Sequence, residues 1–334
     1  MTHSRLHHLR ALLIPFTTAV YLLVNPSAPW VALLFGVSAF FPPLPKDGER
    51  ITSVTAPGGA DAVLYALFAL QCVNLVLAAR LIAGRGFFSI QAAVALVLIA
   101  VSSSLCAAVG GHELIHRARP VPVALGRLLL ASVLYEHFYA EHLRGHHVRF
   151  STAEDPATAR RGESFVAYLL RSPLAQLGSA LELSPAQVAQ GFAVQAVLLA
   201  AFALAFGPAG AAFFVVQALA VHVAFNAVQY FEHWGLDRST ADVHAWDAAD
   251  RASLFGLVGL ARHADHHARP GRPFDALELR PESPKLPRSY AGMIFMVIAR
   301  NATFQRLMTA ELERLGLARP EGLAASGVLA EVAE

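Results

Sequence analysis

Histidine is concentrated in four short groups of this sequence, and its spacing there is suited to binding metal ions. The groups are His112-Glu113-Leu114-Ile115-His116, Glu141-His142-Leu143-Arg144-Gly145-His146-His147, Glu232-His233 and His263-Ala264-Asp265-His266-His267. They hold nine of the 15 histidines. Residues three or four apart lie on one face of a helix with β-carbons about 5 to 6 Å apart, so two such imidazoles can bind one ion. The pairs that meet this condition are His112 with His116, His142 with His146, and His263 with His266 or His267.

The number of histidines predicts two ions rather than one. A zinc site uses three or four protein ligands, and nine imidazoles exceed that number. Imidazole binds zinc, copper, iron and nickel, and a ligand set without a thiolate leaves iron and zinc as the candidates. Cys72 and Cys106 are the only cysteines and lie in apolar runs, so we expect no disulfide framework, no cysteine zinc site and no attached rubredoxin or ferredoxin. Electrons for redox chemistry would come from a partner.

Acidic residues stand beside the histidines in every group. The four are Glu113, Glu141, Glu232 and Asp265. A carboxylate next to a metal-binding imidazole accepts a hydrogen bond from its ring or binds the ion directly. These four are therefore the candidate catalytic residues around the ions. Buried carboxylates need partners, and the nearest candidates are Arg117, Arg144 and Arg262.

The remainder of the chain is apolar enough to lie in a membrane. A soluble protein of 334 residues would carry about 84 charged residues, whereas this chain has 26 Lys and Arg, 24 Asp and Glu, and 55% hydrophobic residues. No charged residue occurs in 11–45, 86–111 or 183–231. A hydrocarbon core about 30 Å thick is crossed by roughly 20 apolar helical residues, so these runs together with 62–79 predict about six transmembrane helices.

Breaks in the longer runs indicate helical hairpins. Pro26 and Pro29 divide the first run, and Gly207-Pro208 divides the third into helices of about 188–206 and 209–230. Each part of the third run is long enough to span the membrane with little tilt.

The basic residues predict the orientation of the bundle. Six crossings leave only Arg80 and Arg85 of the 26 Lys and Arg on the outer side, so the positive-inside rule places the histidine groups in the cytoplasm. The apolar stretch 121–135 is short and contains Arg127, and a seventh crossing would separate the histidine groups. We interpret it as a re-entrant or interfacial helix.

The predicted fold is an all-α integral membrane bundle of about six transmembrane helices with a cytoplasmic histidine-rich cap. Residues 1–111 would form four transmembrane helices in two hairpins, and 112–182 a cytoplasmic or interfacial segment with the first two histidine groups. Residues 183–231 would form the hairpin of helices five and six. Residues 232–334 would form the cytoplasmic cap, with the last two groups and a loose C-terminal tail.

The sequence around the histidine groups resembles the alkane 1-monooxygenase family, within the integral-membrane fatty-acid desaturase and hydroxylase superfamily, over about residues 86–298. The second group continues into Glu154-Asp155-Pro156-Ala157 and Arg161-Gly162-Glu163-Ser164, as in that family. Gln229-Tyr230-Phe231-Glu232-His233-Trp234-Gly235-Leu236 is similar to its asparagine-tyrosine-x-glutamate-histidine-tyrosine-glycine-leucine element. Arg262-His263-Ala264-Asp265-His266-His267, with Leu286-Pro287 and Tyr290 downstream, resembles its last box. The chain departs from the family at Asn226, Gln229 and Trp234, where glutamate, asparagine and tyrosine are usual.

The resemblance implies a non-haem di-iron enzyme that uses O2 to hydroxylate an unactivated C–H bond, the terminal methyl of an alkane or of another alkyl-chain lipid. The substrate would enter from the bilayer, and electrons would come from a rubredoxin or ferredoxin and its NAD(P)H reductase. The iron ligands carried over by the resemblance are His112, His116, His142, His146, His147, His233, His263, His266 and His267. We expect a multi-pass protein of the bacterial inner membrane with its active site on the cytoplasmic side. The net charge of +2 gives no reason to expect nucleic acid as a partner.

Other functions stay open at this point. A fatty-acid desaturase on the same scaffold would remove a second hydrogen instead of adding hydroxyl. An intramembrane zinc protease would use His112, His116 and Glu113 but leaves seven histidines without a role. A metal carrier would need histidines within the membrane. Outside the four groups, we expect His7 and His8 to lie on the interfacial surface.

Overall fold

The computed structural model describes residues 5–24, 61–238 and 244–317. Within these ranges the chain is helical, with one isolated β-bridge between Asp247 and Lys285 and no strand. Four helices are long and apolar enough to cross a membrane: His7–Val24, Asp61–Arg85, Ile90–Ile115 and Pro185–Glu232. The all-α prediction is confirmed, and the chain is an integral membrane protein.

Three helices form the first part of the bundle. Their bounds are Leu13–Val24 for α1, after a 3-10 helix at Arg5–Leu12, Asp61–Arg85 for α2 and Ile90–Ser103 for α3, which continues through π-helical Ser104–Gly110 into Gly111–Ile115. The side-chain amide of Asn74 in α2 donates to the Pro15 carbonyl at 2.9 Å and to the Ser102 hydroxyl at 3.1 Å. One buried amide therefore joins all three helices, as polar residues within membranes commonly do.

A single long helical element supplies the second hairpin. α7 (Pro185–Glu232) has 48 residues, about 72 Å if straight, which is more than twice the hydrocarbon thickness. Gly207 breaks it with φ 68° and ψ −166°, a conformation open to glycine, and Pro208 follows. The Phe202 and Phe214 rings then meet at 4.9 Å across the break. The break lies at Gly207-Pro208, where the sequence predicts the turn of a hairpin.

The described ranges account for five of the expected crossings, because α7 crosses twice. The remaining predicted helix, the second of the first hairpin, falls within 25–60 and lies outside the described residues.

Short helices between α3 and α7 carry the second histidine group. α4 (Pro120–Ala131) has 12 residues, too few to span the membrane, in agreement with an interfacial element. Gly126 of α4 packs directly on Gly111 at the end of α3, where a β-carbon on Gly126 would lie 2.9 Å from the Gly111 carbonyl oxygen. α5 comprises Phe138–Glu141, π-helical His142–His146 and His147–Arg149.

A further helix, α6 (Phe165–Leu183), lies in the segment predicted to be cytoplasmic or interfacial. Its exposed face is apolar, with Leu170 and Leu174 more than 70% exposed. Its buried face is polar and includes Ser172 and Gln176. This polarity is the reverse of a soluble helix and is typical of one that contacts lipid.

The cap consists of short helices packed on the end of α7. Their bounds are Arg251–Gly256 for α8, His263–Ala268 for α9, Tyr290–Ala299 for α10 and Asn301–Arg314 for α11. The prediction for His7 and His8 was wrong. Both are buried, and the His8 ring contacts Phe255 and Phe274 of the cap at 4.9 Å each, because the N-terminal turn packs beneath α8.

Candidate metal centre

The nine histidines of the four groups come together in two sets. The first set contains His112, His116, His142, His147 and His266, and the second contains His146, His233, His263 and His267. Within each set the ligand nitrogens lie within 4.8 Å of one another. Four separate elements contribute, the ends of α3 and α7 together with α5 and α9, so the tertiary fold rather than any one helix assembles the sets.

The second histidine group divides between the two sets. The spacing allows His142 and His146 to share an ion, but the structure places them in different sets. The segment His142–His146 is π-helical, which moves the facing position from the fourth to the fifth residue. The Nε2 atoms of His142 and His147 therefore meet at 3.0 Å, and His146 turns to the second set.

The last group also divides. His263 and His267, one turn apart on α9, have Nε2 atoms 3.0 Å apart and belong to the second set. His266 lies on a neighbouring face of α9 and belongs to the first set. One short helix therefore contributes to both sets and fixes their separation.

The spacing of the ring nitrogens fits bound ions. Two nitrogens about 2.1 Å from one ion and at a right angle are about 3.0 Å apart. His142 Nε2 is 3.0 Å from Nε2 of both His116 and His147. His263 Nε2 lies in the same way between His233 at 3.1 Å and His267 at 3.0 Å. A neutral ring nitrogen carries either a proton or a lone pair, so one shared cation suits each triplet better than hydrogen bonds between the rings.

Outer hydrogen bonds orient two imidazoles of the second set. His146 Nδ1 donates to Asp155 Oδ2 at 2.9 Å, and Thr158 donates to the same oxygen at 2.6 Å. His233 Nδ1 donates to the backbone carbonyl of His244 at 2.7 Å. Protonation at Nδ1 leaves the Nε2 lone pair of both rings directed at the set.

Burial keeps most of these imidazoles neutral. Burial and then the neighbouring imidazoles lower the pKa of His147 to about 2 and that of His233 to about 3. The same causes hold the pKa of the other imidazoles outside the spanning helices well below 6.5, in His116, His142, His263, His266 and His267. His146 is the exception, because burial is outweighed by Asp155 and its pKa is raised. Neutral imidazole is the form that binds metal.

Two of the four predicted carboxylates face arginines. Glu113 accepts from Arg117 at 2.7 Å and from the Phe274 backbone N–H at 3.1 Å, which ties α3 to the cap. Asp265 bonds to Arg269 and accepts the Glu278 N–H at 3.0 Å. Glu113 and Asp265 therefore bond to groups that hold the fold together. A zinc protease would instead need the Glu113 carboxylate next to the metal ion.

The other two carboxylates lie closer to the histidines. Glu232 Oε1 accepts from the Tyr290 hydroxyl at 3.1 Å, and Oε2 lies 3.5 Å from His263 Nε2. Glu141 is fully buried, with no hydrogen-bond partner in the described part of the chain and Arg149 at 3.6 Å. Burial raises the pKa of Glu141 to about 7.

Three supporting residues have no role in the sequence-based prediction. Asp155 orients His146, Tyr290 orients Glu232, and Asp247 accepts the Ala264 N–H at 2.9 Å in the first turn of α9. Asp155 and Tyr290 belong to segments that carry the family resemblance, which was the available signal. Asp247 lies in a stretch with no motif, and only the fold brings it to α9.

The two sides of the sets differ in polarity. On one side a cavity of about 340 Å³ opens at the surface and reaches His147 and His267, with Arg238 and Arg280 among its lining residues. On the other side the Phe138 ring stacks on His142 at 4.4 Å. The sets therefore have a polar opening on the cap side and an aromatic contact on the bundle side.

Comparison with known proteins agrees with this geometry. The profile of the family described as fatty acid desaturase matches residues 88–296. Among curated proteins, "Alkane 1-monooxygenase 2" of Pseudomonas aeruginosa is 34% identical over 210 residues, 56% of each chain. "Alkane 1-monooxygenase" of Acinetobacter baylyi is 34% identical over 206 residues, 55% of this chain and 50% of that protein. "Alkane 1-monooxygenase 2" of Alcanivorax borkumensis is 32% identical over 211 residues, 56% of this chain and 55% of that protein.

The matched part of the chain corresponds to about half the length of these curated relatives. The family profile extends over most of the described chain, from the start of α3 into α10, and includes all four histidine groups. This chain therefore belongs to the fatty acid desaturase family.

Proposed function

We propose that the protein is a membrane-bound non-haem di-iron monooxygenase that hydroxylates an unactivated C–H bond, the terminal methyl of an alkane or of another alkyl-chain lipid. The observation that carries the proposal is the convergence of nine imidazoles in two sets at the end of the bundle on which the cap packs. Similarity to three proteins named as alkane 1-monooxygenases supports the reaction type. The nine histidines would be the ligands of the two irons.

The proposed reaction consumes one C–H bond and one O2. A substrate RH, O2, two electrons and two protons give ROH and water. The two ferrous ions would supply the redox chemistry by reducing O2. The electrons would come from a reduced rubredoxin or ferredoxin and an NAD(P)H reductase, since no cysteine cluster occurs in this sequence.

The protein would position the reactants through its own side chains. Asp155 and the His244 carbonyl hold His146 and His233 with their Nε2 lone pairs towards the second set. Phe138 and Phe225, whose rings are 4.9 Å apart, exclude water on the bundle side. Excluding water protects a reactive oxidant from side reactions. The apolar substrate would reach this side from the bilayer.

The polar cavity would face the electron donor and the cytoplasm. It reaches His147 and His267 from the surface on which the cap lies. The positive-inside rule favours the cytoplasmic side of a bacterial inner membrane for this surface, because the opposite end of the bundle carries only Arg80 and Arg85, in the last turns of α2.

Metal analysis of the detergent-purified protein tests the proposal. Protein from cells grown on labelled iron should contain iron in both sets by Mössbauer spectroscopy, and His146→Ala should lose the ion of the second set. His137→Ala is the matched control, since His137 lies four residues from Glu141 but belongs to neither set. Tightly bound zinc without iron would refute the oxygenase and favour hydrolytic chemistry.

Product analysis separates hydroxylation from its nearest alternative. The description of the matching family as fatty acid desaturase makes desaturation of an acyl chain the second candidate. Incubation with O2, reductant and either an alkane or an acyl lipid should yield an alcohol with oxygen derived from O2. An alkene without alcohol would assign the protein as a desaturase.

A further inference from the structure

Four buried polar side chains meet inside the bundle, next to the metal centre. We call Tyr135, Gln176, Asn226 and Gln229 the amide cluster. The Tyr135 hydroxyl donates to Gln176 Oε1 at 3.2 Å, and Gln176 Nε2 donates to Gln229 Oε1 at 3.1 Å. Asn226 Nδ2 donates to the Tyr135 oxygen at 3.4 Å. The four side chains are at most 6% exposed, so polar groups here must find partners within the protein or on a ligand.

Two atoms of the cluster lack such a partner. Asn226 Oδ1 and Gln229 Nε2 make no hydrogen bond within the described part of the chain. One is an acceptor and the other a donor, and the two residues lie three apart on one face of α7. A hydroxyl group has both a donor and an acceptor, so it complements this pair, whereas a hydrocarbon complements neither atom.

The amide cluster and the histidines are close enough for one substrate molecule to reach both. Gln229 precedes His233 of the second set by four residues, about 6 Å along the helix axis. The Phe138 ring is 5.9 Å from Tyr135 and 4.4 Å from His142, so one aromatic ring separates the cluster from the first set. A chain with its oxygen at the cluster would therefore place a carbon several bonds away at the metal centre.

We propose that the amide cluster binds the hydroxyl group of the substrate, so that the protein accepts alcohols in preference to the alkane of the same length. The hydroxyl donates to Asn226 Oδ1 and accepts from Gln229 Nε2. The inference rests on the proposed function for the reaction at the far carbon. There HO–R–H, O2, two electrons and two protons give the diol HO–R–OH and water.

Equilibrium binding tests the inference without turnover. Iron-loaded full-length protein in lipid nanodiscs is titrated with labelled 1-octanol and with labelled octane, each corrected for partition into empty nanodiscs. The wild type should bind octanol at least about tenfold more tightly than octane, since two hydrogen bonds are gained. Asn226→Leu and Gln229→Met should each weaken octanol binding about three- to tenfold and leave octane binding unchanged.

Gln217→Met is the matched control. Gln217 is a buried amide on the same helix whose Nε2 donates to the Ser132 carbonyl at 2.8 Å, away from the cluster. The Gln217→Met variant should bind octanol and octane as tightly as the wild type does. The iron content of each variant reports whether it is folded. The comparison of octanol with octane in the wild type tests the inference even if a variant fails to fold.

Equal affinity of the wild type for octanol and octane would overturn the inference and indicate that water satisfies the two amides. Equal loss of octanol binding in Gln217→Met would also overturn it, because the effect would then be general. Selective octanol binding by a protein that oxidises neither ligand would support the inference and refute the proposed function.

Discussion

The two histidine sets are built from the same residue type but are supported differently. In the second set, His146 donates to the Asp155 carboxylate, His233 donates to a backbone carbonyl, and Glu232 lies 3.5 Å from His263. Nδ1 of His142 and His147 in the first set, like Nδ1 of His263 and His267 in the second, has no hydrogen-bond partner in the described part of the chain. The ring of Phe138 stacks on the ring of His142.

This difference predicts unequal affinity for the two ions. An acceptor at Nδ1 fixes the orientation of an imidazole and makes its other nitrogen a stronger ligand. The second set should therefore hold its ion more tightly.

The largest effect should come from removing one ligand of each set. His267→Ala should lose the ion of the second set and His142→Ala that of the first, with turnover abolished in both, because a buried ion tolerates loss of a ligand poorly. Mössbauer spectroscopy with iron analysis measures the remaining ion. Loss of both ions in both variants would show that the two sets do not bind their ions independently.

Asp155→Asn should act on the second set alone. Removing the charge that His146 faces should weaken this ion about 10- to 100-fold and leave the first unchanged, as for other outer partners of metal-binding histidines. Chelator competition followed by the Mössbauer signal of each ion measures the two affinities. Glu182→Gln, an exposed carboxylate at the end of α6, is the control. Equal weakening of both ions would contradict the assignment of Asp155 to one set.

Asp247→Ala should weaken both ions to a similar, smaller extent. Asp247 holds the first turn of α9 through the Ala264 N–H, and α9 contributes to both sets. Loss of a buried acceptor should cost about 1 to 3 kcal/mol of stability. Thermal unfolding and the same chelator competition would reveal the shared loss. Weaker binding of only one ion would show that Asp247 does not position the histidines of both sets through α9.

Glu163→Gln should lower the stability slightly and leave the affinity for both ions unchanged. Partial burial opposes ionisation of Glu163, but hydrogen bonds from Arg171 outweigh it and lower its pKa below 4.5. This ion pair therefore stabilises the fold above pH 4.5, by less than about 1 kcal/mol at its half-buried site, and the contribution is lost as pH falls through the lowered pKa. The difference in melting temperature between wild type and variant should shrink on acidification. A constant difference across that range would exclude the charge as its cause.

Residue type and apolar run length were sufficient for the coarse architecture. Charge-free runs long enough to span a bilayer predicted α2, α3 and the hairpin in α7, since lipid accepts only segments that satisfy their own backbone. The polarity of α6 could not be predicted in the same way. Ser172 and Gln176 appear hydrophilic in sequence, but the fold pairs Gln176 with Tyr135 and Gln229.

The sequence by itself identified the nine imidazoles that come together, because histidine groups at helix ends need only local spacing to be recognised. Tertiary structure decided how they are shared. The π-helical turn at His142–His146 divides one group between two sets, and α9 does the same for His263 and His266. It also turned Glu113 and Asp265 to arginines and brought Asp155 to His146. Partner choice for a buried charge depends on which elements pack against it, and that information is distributed over the whole chain.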